Sequence, residues 1–573
     1  MHKYIHALFS DILGPMFTSG KLSVLPSVEI STPDLAFGDY ATNVALKLAK
    51  PLNQAPQVVA EQLVTELRSL DTKSHFSEIK AVNGFINFTV SQKYLLENVS
   101  KILEQGQLYG SSITGSGQKI IVEYFQNNVA KPSHVGHLRS AVIGDSLLRI
   151  LRSQGYSAIS DTHIGDWGTQ FGILLHAFKT MGDRSVVEKD PINELTKLYV
   201  EMSAKIDEDP QQRELGKLEF KKLEDGDPEN RELWEWFVKV SMIDFERYKE
   251  SLQLLPFDHN LGESFYEDKM AAVLDDLRKK DLVETGETGE LYVDLEPYSL
   301  GRCILVKSDG ATTYHLRDFA TYIYRKKEFD FYRNIYVVDN RQSHHFNQLF
   351  KVLELAGYPA YQDSRHVDFG FMSLPEGAIS TRKGNIVSLK NLIDEATIRA
   401  LAIIEEKNPA LENKQSVAEQ VGLASIKYFD LSHNRKTEII FSWEQALSFE
   451  GNTGPYLQYA HARIHGILRK AGQVNSVDKV GEIVPTEFEV TVQRKLLKFE
   501  EILQQVTEEY TPNLLCNYLF ELAQNFNTFY QTIPVLQEDN VELRSFRLNL
   551  IKATAQVLNN GLYLLGIAAP EEM

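Results

Sequence analysis

The sequence predicts a multidomain α/β protein: a doubly wound core with a parallel sheet, an α+β segment before it and an all-α segment after it. Three observations predict this. Ile120-Ile121-Val122-Glu123-Tyr124-Phe125 is a β-branched and aromatic run of the kind buried in a parallel strand. Beyond Asn127, Asn128, Lys131 and Pro132, the residues Leu138, Ala141, Val142, Leu148 and Leu151 recur at roughly helical spacing until Gly155 stops the run. From residue 396 the chain reads as almost wholly helical. With 573 residues it is too long for one core.

Taken in order, residues 1–115 mix an amphipathic helix (57–70) with short strands such as Phe85 to Val90, and end in a Gly/Ser-rich linker. That linker precedes a strand and lacks a Lys-Ser/Thr pair, so it is not a phosphate loop. Residues 116–395 form the α/β part. Within it, about 181–290 is rich in Glu, Asp and Lys with amphipathic spacing around Trp234 and Trp236, which predicts a largely helical insertion. Strands return at Leu291-Tyr292-Val293, Cys303-Ile304-Leu305-Val306 and Asn334-Ile335-Tyr336-Val337-Val338, and are expected to complete the core sheet. Residues 396–450 read as a helical connection and 451–573 as a final helical domain. No repeat or low-complexity tract is visible.

Composition excludes several classes. With 43% apolar and 24% charged residues, the chain reads as ordinary globular protein. A net charge of −18 argues against a protein that coats nucleic acid nonspecifically. It leaves room for a local basic surface; Arg435, Lys436, Arg463, Arg469 and Lys470 are candidates, although alone they read as solvated helix faces. Cys303 and Cys516 lie far apart and point to neither a zinc site nor a disulfide framework, so a reducing compartment, the cytoplasm, is expected. The start, from Met1 to Phe9, has the marks of neither a secretory nor a mitochondrial leader. No apolar run approaches the ~20 residues of a membrane helix.

The chemistry concentrates at His134-Val135-Gly136-His137, two imidazoles at a helix N-terminus at the carboxyl end of a strand. In open α/β sheets nucleotides bind there. Helix-end N–H groups favour phosphate, histidine donors can stabilise a reacting phosphoryl centre, and Gly136 lets a base or ribose approach bare backbone.

This tetrapeptide resembles the HIGH signature of class I aminoacyl-tRNA synthetases. Its context, Asn128-Val129-Ala130-Lys131 before, Gly136-His137-Leu138-Arg139-Ser140 through and Gly165-Asp166-Trp167-Gly168-Thr169-Gln170-Phe171-Gly172 after, resembles the arginyl-tRNA synthetase family. The resemblance implies a Rossmann-like catalytic domain with a parallel sheet, an α+β N-terminal additional domain and an all-α C-terminal anticodon-binding domain. It also implies ATP as substrate with accompanying Mg2+, L-arginine and tRNA(Arg) as partners, no metal held by the protein itself, and a monomer. ATP would lie on His134, Gly136, His137, Phe371 and Met372.

Thr313-Tyr314-His315-Leu316-Arg317-Asp318 matches the family's Tyr-x-x-Arg-Asp element. Residues i and i+4 share a helix face, so Tyr314 and Asp318 can point into one pocket. A carboxylate is the bidentate partner of a guanidinium. By resemblance these two read the substrate side chain. Asn128 and Gln342 hold its α-amino and carboxylate groups, with Glu123 and His137 close by. The competing reading pairs Asp318 with Arg317 or Arg325. A pocket built for the guanidinium rejects lysine or citrulline by leaving acceptors unsatisfied, so no editing domain is expected.

The second class I signature corresponds to Ala378-Ile379-Ser380-Thr381-Arg382-Lys383-Gly384, with both signature lysines replaced, by Ala378 and Thr381. Ser380, Arg382 and Lys383 remain catalytic candidates, and Lys131, three residues before His134, is the candidate for the missing positive charge. The alternative is a tRNA-binding module of the same descent that has lost activation. For tRNA, Phe37 and Asn43 lie in an N-terminal segment that resembles the additional domain. Tyr456, Tyr459 and Arg463 lie in one that resembles the anticodon-binding domain. Unaided, aromatics such as Phe526 and Phe529 read as core.

Overall fold

The N-terminal segment folds around a four-stranded antiparallel sheet. Strands β1 (Ile30–Ser31), β2 (Tyr40–Thr42), β3 (Phe76–Val82) and β4 (Phe85–Val90) lie in the order β1-β2-β4-β3. Asn83 and Gly84, with φ of 52° and 82°, join β3 to β4; this is the residue pair that a tight hairpin turn favours. The sheet packs through Phe76, Ile86 and Phe88 against Leu63 and Leu67 of the Pro56–Leu70 helix and Phe9 of the His2–Thr18 helix. The computed structural model describes residues 1–133, 135–373, 389–472 and 483–573.

The core sheet contains β5 (Lys119–Glu123) and β6 (Ser157–Asp161) and, much later in the chain, β10 (Arg333–Tyr336) and β11 (Ser364–His366). All neighbours are parallel, in the order β11-β10-β5-β6. The chain leaves β5 for β6 on one side and returns to β10 on the other. The carboxyl ends of β5 and β10 therefore flank the point where strand order reverses, the crevice in which such sheets bind ligands. The Val135–Ser153 helix joins β5 to β6 and buries Leu138, Ala141, Val142, Leu148 and Leu151, the residues whose spacing predicts it.

Two of the strands expected in the core lie elsewhere. Strands β7 (Glu284–Thr285), β8 (Leu291–Asp294) and β9 (Arg302–Val306) form a separate antiparallel meander. The reason is the short turn Glu296–Tyr298 between β8 and β9: a parallel pair needs a crossover of a dozen or more residues, and this connection is too short for one.

Between β6 and this meander, the helices Thr169–Met181, Pro191–Glu208, Gln211–Glu224 and Pro228–Ser251 pack around Trp167, Phe171, Leu175 and Phe237. Beyond the core, β12 (Met372–Ser373) pairs in parallel with β13 (Ile439–Ile440). The rest is helical, from Leu389–Lys407 and Lys414–Leu431 through Gly454–Ala471, Asn513–Thr532 and Val541–Leu564. The N-terminal segment closes on this helical part: the Tyr40 hydroxyl donates to Glu501 at 2.7 Å, and Asp39 pairs with Arg494 at 2.8 Å.

Candidate active site

Two residues of the first motif brace the crevice. Ser140 Oγ accepts from the Phe125 amide at 2.9 Å and donates to the Val337 carbonyl at 2.8 Å. It thus ties the Val135–Ser153 helix to the chain leaving β5 and to the chain leaving β10. Arg139, fully buried, donates to Asp430 at 3.0 Å and to the carbonyls of Gly370 and Thr437 at 2.6 and 2.9 Å. It anchors the same helix to the Lys414–Leu431 helix and to the root of the second signature loop. Burial pushes the Asp430 carboxyl above its ordinary range, against the pull of Arg139. Phe125 and Ala130 both hold positive φ, 59° and 57°, the kind of backbone strain that clusters where a loop must aim functional groups.

Asn128 lies where this loop crosses the segment after β6. It bridges to Gly165, whose amide donates to the Asn127 carbonyl at 2.9 Å. A Cβ on Gly165 would lie 2.3 Å from Asn128 Oδ1, so a side chain there would push the Asn128 amide out of its place. Alongside is a cavity of about 370 Å3 lined by Asn128, Lys131, Trp167, Tyr199, Tyr314 and Arg317, among others. Lys131 donates to Gln170 Oε1 at 2.7 Å and sits 5.1 Å from the Tyr199 ring centroid, and burial lowers its pKa.

Tyr314 begins the Tyr314–Phe329 helix, and Asp318 follows one turn on. Asp318 pairs with neither Arg317 nor Arg325. Its Oδ2 accepts from His345 Nε2 at 2.6 Å, and its Oδ1 lies 3.9 Å from His163 Nε2. Burial disfavours its charge, but the His345 hydrogen bond together with His163 and Arg317 outweighs burial and holds its pKa below the usual carboxylate range. The Tyr314 side chain, 54% exposed, meets the His345 ring edge-on at 4.8 Å.

Three other carboxylates here have arginine partners. Arg325 is entirely buried between Glu123 at 2.6 Å and Asp161 at 2.7 Å, at the ends of β5 and β6. The remaining Glu123 oxygen accepts from Gln126 at 3.2 Å. Arg317 pairs with Glu263 at 2.9 Å. Gln342 closes the turn Asn340–Gln342 after β10 and is exposed. Of the predicted pocket residues, Asn128 and Tyr314 line one cavity, Asp318 follows Tyr314 by one helical turn, and Glu123 is tied to the same helix through Arg325; His137 lies in the first turn of the Val135–Ser153 helix and Gln342 in the turn after β10. On the same side, Phe371 lies under the Arg341 guanidinium at 5.4 Å, and Met372 is buried in β12. His134, Ser380, Arg382 and Lys383, with Ala378 and Thr381, lie outside the described residues.

The candidates for RNA contact are distributed differently. Phe37 is 53% exposed in the turn Leu35–Phe37, and Asn43 begins the Val44–Leu52 helix. On the Gly454–Ala471 helix, Tyr459 is 47% exposed. Tyr456 and Arg463 turn inward: the Asn527 amide donates to the Tyr456 hydroxyl at 2.8 Å, and Arg463 donates to Asn527 Oδ1 at 3.1 Å while lying over Tyr530. Phe526 and Phe529 are buried in the core, as their spacing predicts.

His345 and His163 are absent from the candidates the sequence offers, and Arg325 figures there only as a competing partner of Asp318. His345 stands three residues after Gln342, within one helical turn, and His163 two residues before Gly165; a histidine so close to a recognised motif was the available signal.

Three family models match the chain: "tRNA synthetases class I (R), catalytic domain" over residues 98–443, "DALR anticodon binding domain" over 457–573, and "Arginyl tRNA synthetase N terminal domain" over 3–90. An arginine–tRNA ligase of Lactococcus lactis subsp. cremoris is 43% identical over 541 residues, 94% of this chain and 93% of the relative. One from Alkaliphilus metalliredigens is 41% identical over 98% of this chain and 99% of its own. The arginyl-tRNA synthetase structure of Thermus thermophilus superposes with a TM-score of 0.82 at 28% identity, covering 100% of both chains.

Proposed function

This chain belongs to the arginyl-tRNA synthetase family, and we propose that it attaches L-arginine to tRNA(Arg) in two steps. Arginine and ATP first give arginyl-adenylate and pyrophosphate, and the 3′-terminal ribose of the tRNA then attacks the mixed anhydride. Class I synthetases use ATP, and the crevice between β5 and β10 is the place such a sheet offers it.

The observation that carries the reading is the charge balance of the pocket. Arg325 counters Glu123 and Asp161, and Arg317 counters Glu263, whereas the ion-pair partners of Asp318 among the described residues are two histidines. A guanidinium seated beside Tyr314 would complete the set. A point-charged ammonium or an uncharged ureido group would leave acceptors unmatched, a defect that can cost about 10⁴ or more in selectivity. Glu123, fixed by Arg325, forms part of the same wall, while Asn128 and Gln342 suit the α-amino and carboxylate groups.

The arginine carboxylate is ionised at neutral pH, so its attack on the α-phosphate needs no protein base. The remaining task is positioning and neutralisation, assigned to His134, His137, Lys131 and the loop containing Ser380, Arg382 and Lys383. Among the described residues no group of three or more His, Cys, Asp and Glu side chains is arranged to hold a metal ion. Mg2+ would accompany ATP and share in neutralising its phosphates.

The division into 1–115, 116–395, 396–450 and 451–573, with tRNA contacts at Phe37, Asn43 and Tyr459, belongs to this proposal, while Tyr456 and Arg463, both bonded to Asn527, are assigned to the packing behind that surface. So does a monomer acting in the cytoplasm. The two buried, unpaired cysteines fit a reducing compartment, and no described helix is long and apolar enough to cross a membrane.

The test is Asp318→Asn in a charging assay. The KM for arginine should rise by about tenfold to a hundredfold, the weight of a charge-assisted contact, with little change in the KM for ATP. An unchanged arginine KM would remove Asp318 from the pocket.

A further inference from the structure

We propose that His345 is the positioning residue of the arginine pocket, setting both the carboxylate plane of Asp318 and the ring of Tyr314. The inference rests on the arginine-charging reading above and extends it to a residue that does not itself meet the substrate.

One imidazole touches both residues of the Tyr-x-x-Arg-Asp element. Its Nε2 is 2.6 Å from Asp318 Oδ2, and its ring lies edge-on to Tyr314 at 4.8 Å between centroids. The His315 ring packs into the same corner, 4.5 Å from His345 and stacked on Tyr314 at 4.5 Å, and is held by Gln348, whose Oε1 is 2.9 Å from His315 Nε2. Gln348 Nε2 donates to the Leu300 carbonyl at 2.7 Å, so its Oε1 is the acceptor and His315 Nε2 carries the proton. Burial, reinforced by His345, lowers the His315 pKa to about 4. His345 Nδ1 is buried without a hydrogen-bond partner among the described residues. The ring therefore has one outlet for its donor, and that outlet is Asp318.

A histidine suits this task better than an arginine. An aspartate rotates easily about its last bond, and a two-pronged guanidinium contact requires the carboxylate in one plane. An imidazole N–H fixes one oxygen without having to carry a full charge. An arginine there, like Arg325 beside Glu123, would cancel the charge the substrate is meant to meet. His345 orients Asp318 and leaves its charge for the guanidinium.

The experiment is charging kinetics of the full-length protein with arginine, ATP and tRNA(Arg), comparing wild type, His345→Leu and His345→Gln, with melting curves alongside. The glutamine amide reaches roughly where Nε2 does and can donate in its place. His345→Leu should raise the arginine KM by about tenfold or more, the range for a hydrogen bond to a charged group, and leave the ATP KM unchanged. His345→Gln should recover most of the loss. If His345→Leu does not fold, His345→Met against His345→Gln makes the same comparison. An unchanged arginine KM, an equal rise for ATP, or no recovery with glutamine overturns the positioning role and leaves the charging reading intact. A wild-type protein that does not charge tRNA(Arg) with arginine overturns both.

Discussion

The crevice beyond the parallel sheet and the helical C-terminal part treat their polar side chains in opposite ways. In the helical part, Tyr456 and Arg463 both bond to Asn527, and Arg463 covers Tyr530. Each is tied to Asn527 within the protein. In the crevice, Asp318 is oriented by histidines and forms no ion pair with an arginine or lysine among the described residues, and Tyr314 stands half exposed beside it. Both regions carry side chains that resemble family motifs. The difference teaches that partners, more than residue type, separate a side chain that shapes a site from one left to receive a ligand. Arg325 marks the boundary, because it lies inside the crevice and yet is wholly scaffold.

The comparison can be broken at its strongest point first. Arg325→Leu leaves Glu123 and Asp161 as buried, unpaired carboxylates and should cost about 3–5 kcal/mol of stability, read by urea unfolding. A variant as stable as wild type would show that Arg325 does not hold the floor of the crevice.

Lys131 is the next test, since it has a local partner in Gln170 and yet is assigned to the reaction. Lys131→Ala should lower kcat by about 10²–10³, the usual weight of one lost transition-state contact, with the melting temperature nearly unchanged. Adding Thr381→Lys should restore part of the loss. If Lys131→Ala turns over like wild type while Lys383→Ala is crippled, the cation belongs to the loop.

The smallest effect is expected in the helical part. Tyr456→Phe removes the acceptor for Asn527 and should cost about 0.5–1.5 kcal/mol of stability, the net weight of one hydrogen bond, with the KM for tRNA(Arg) changing in step with stability and no further. A large rise in that KM in a fully stable variant would mean that Tyr456 meets RNA directly.

Much of this was legible in the sequence, for reasons of range. The Val135–Ser153 helix and the shared face of Tyr314 and Asp318 rest on spacing within a few residues, and both stand as predicted. The assignment of β8 and β9 to the core failed because strand composition does not say how a strand pairs; the connection length does. The partners of the pocket were beyond reach for another reason. Asp318 meets His345 across 27 positions and Arg325 meets Asp161 across 164, and no local pattern announces such pairs. Motif resemblance pointed to the region, while only the fold shows which of its carboxylates are paired with arginines.

The measurement that bears most directly on the account is ATP–pyrophosphate exchange with labelled pyrophosphate, run with arginine, lysine or citrulline, with and without tRNA(Arg). The account predicts exchange with arginine and tRNA(Arg) together, and none above background with lysine or citrulline. No exchange with arginine and tRNA(Arg), or equal exchange with lysine, would contradict it.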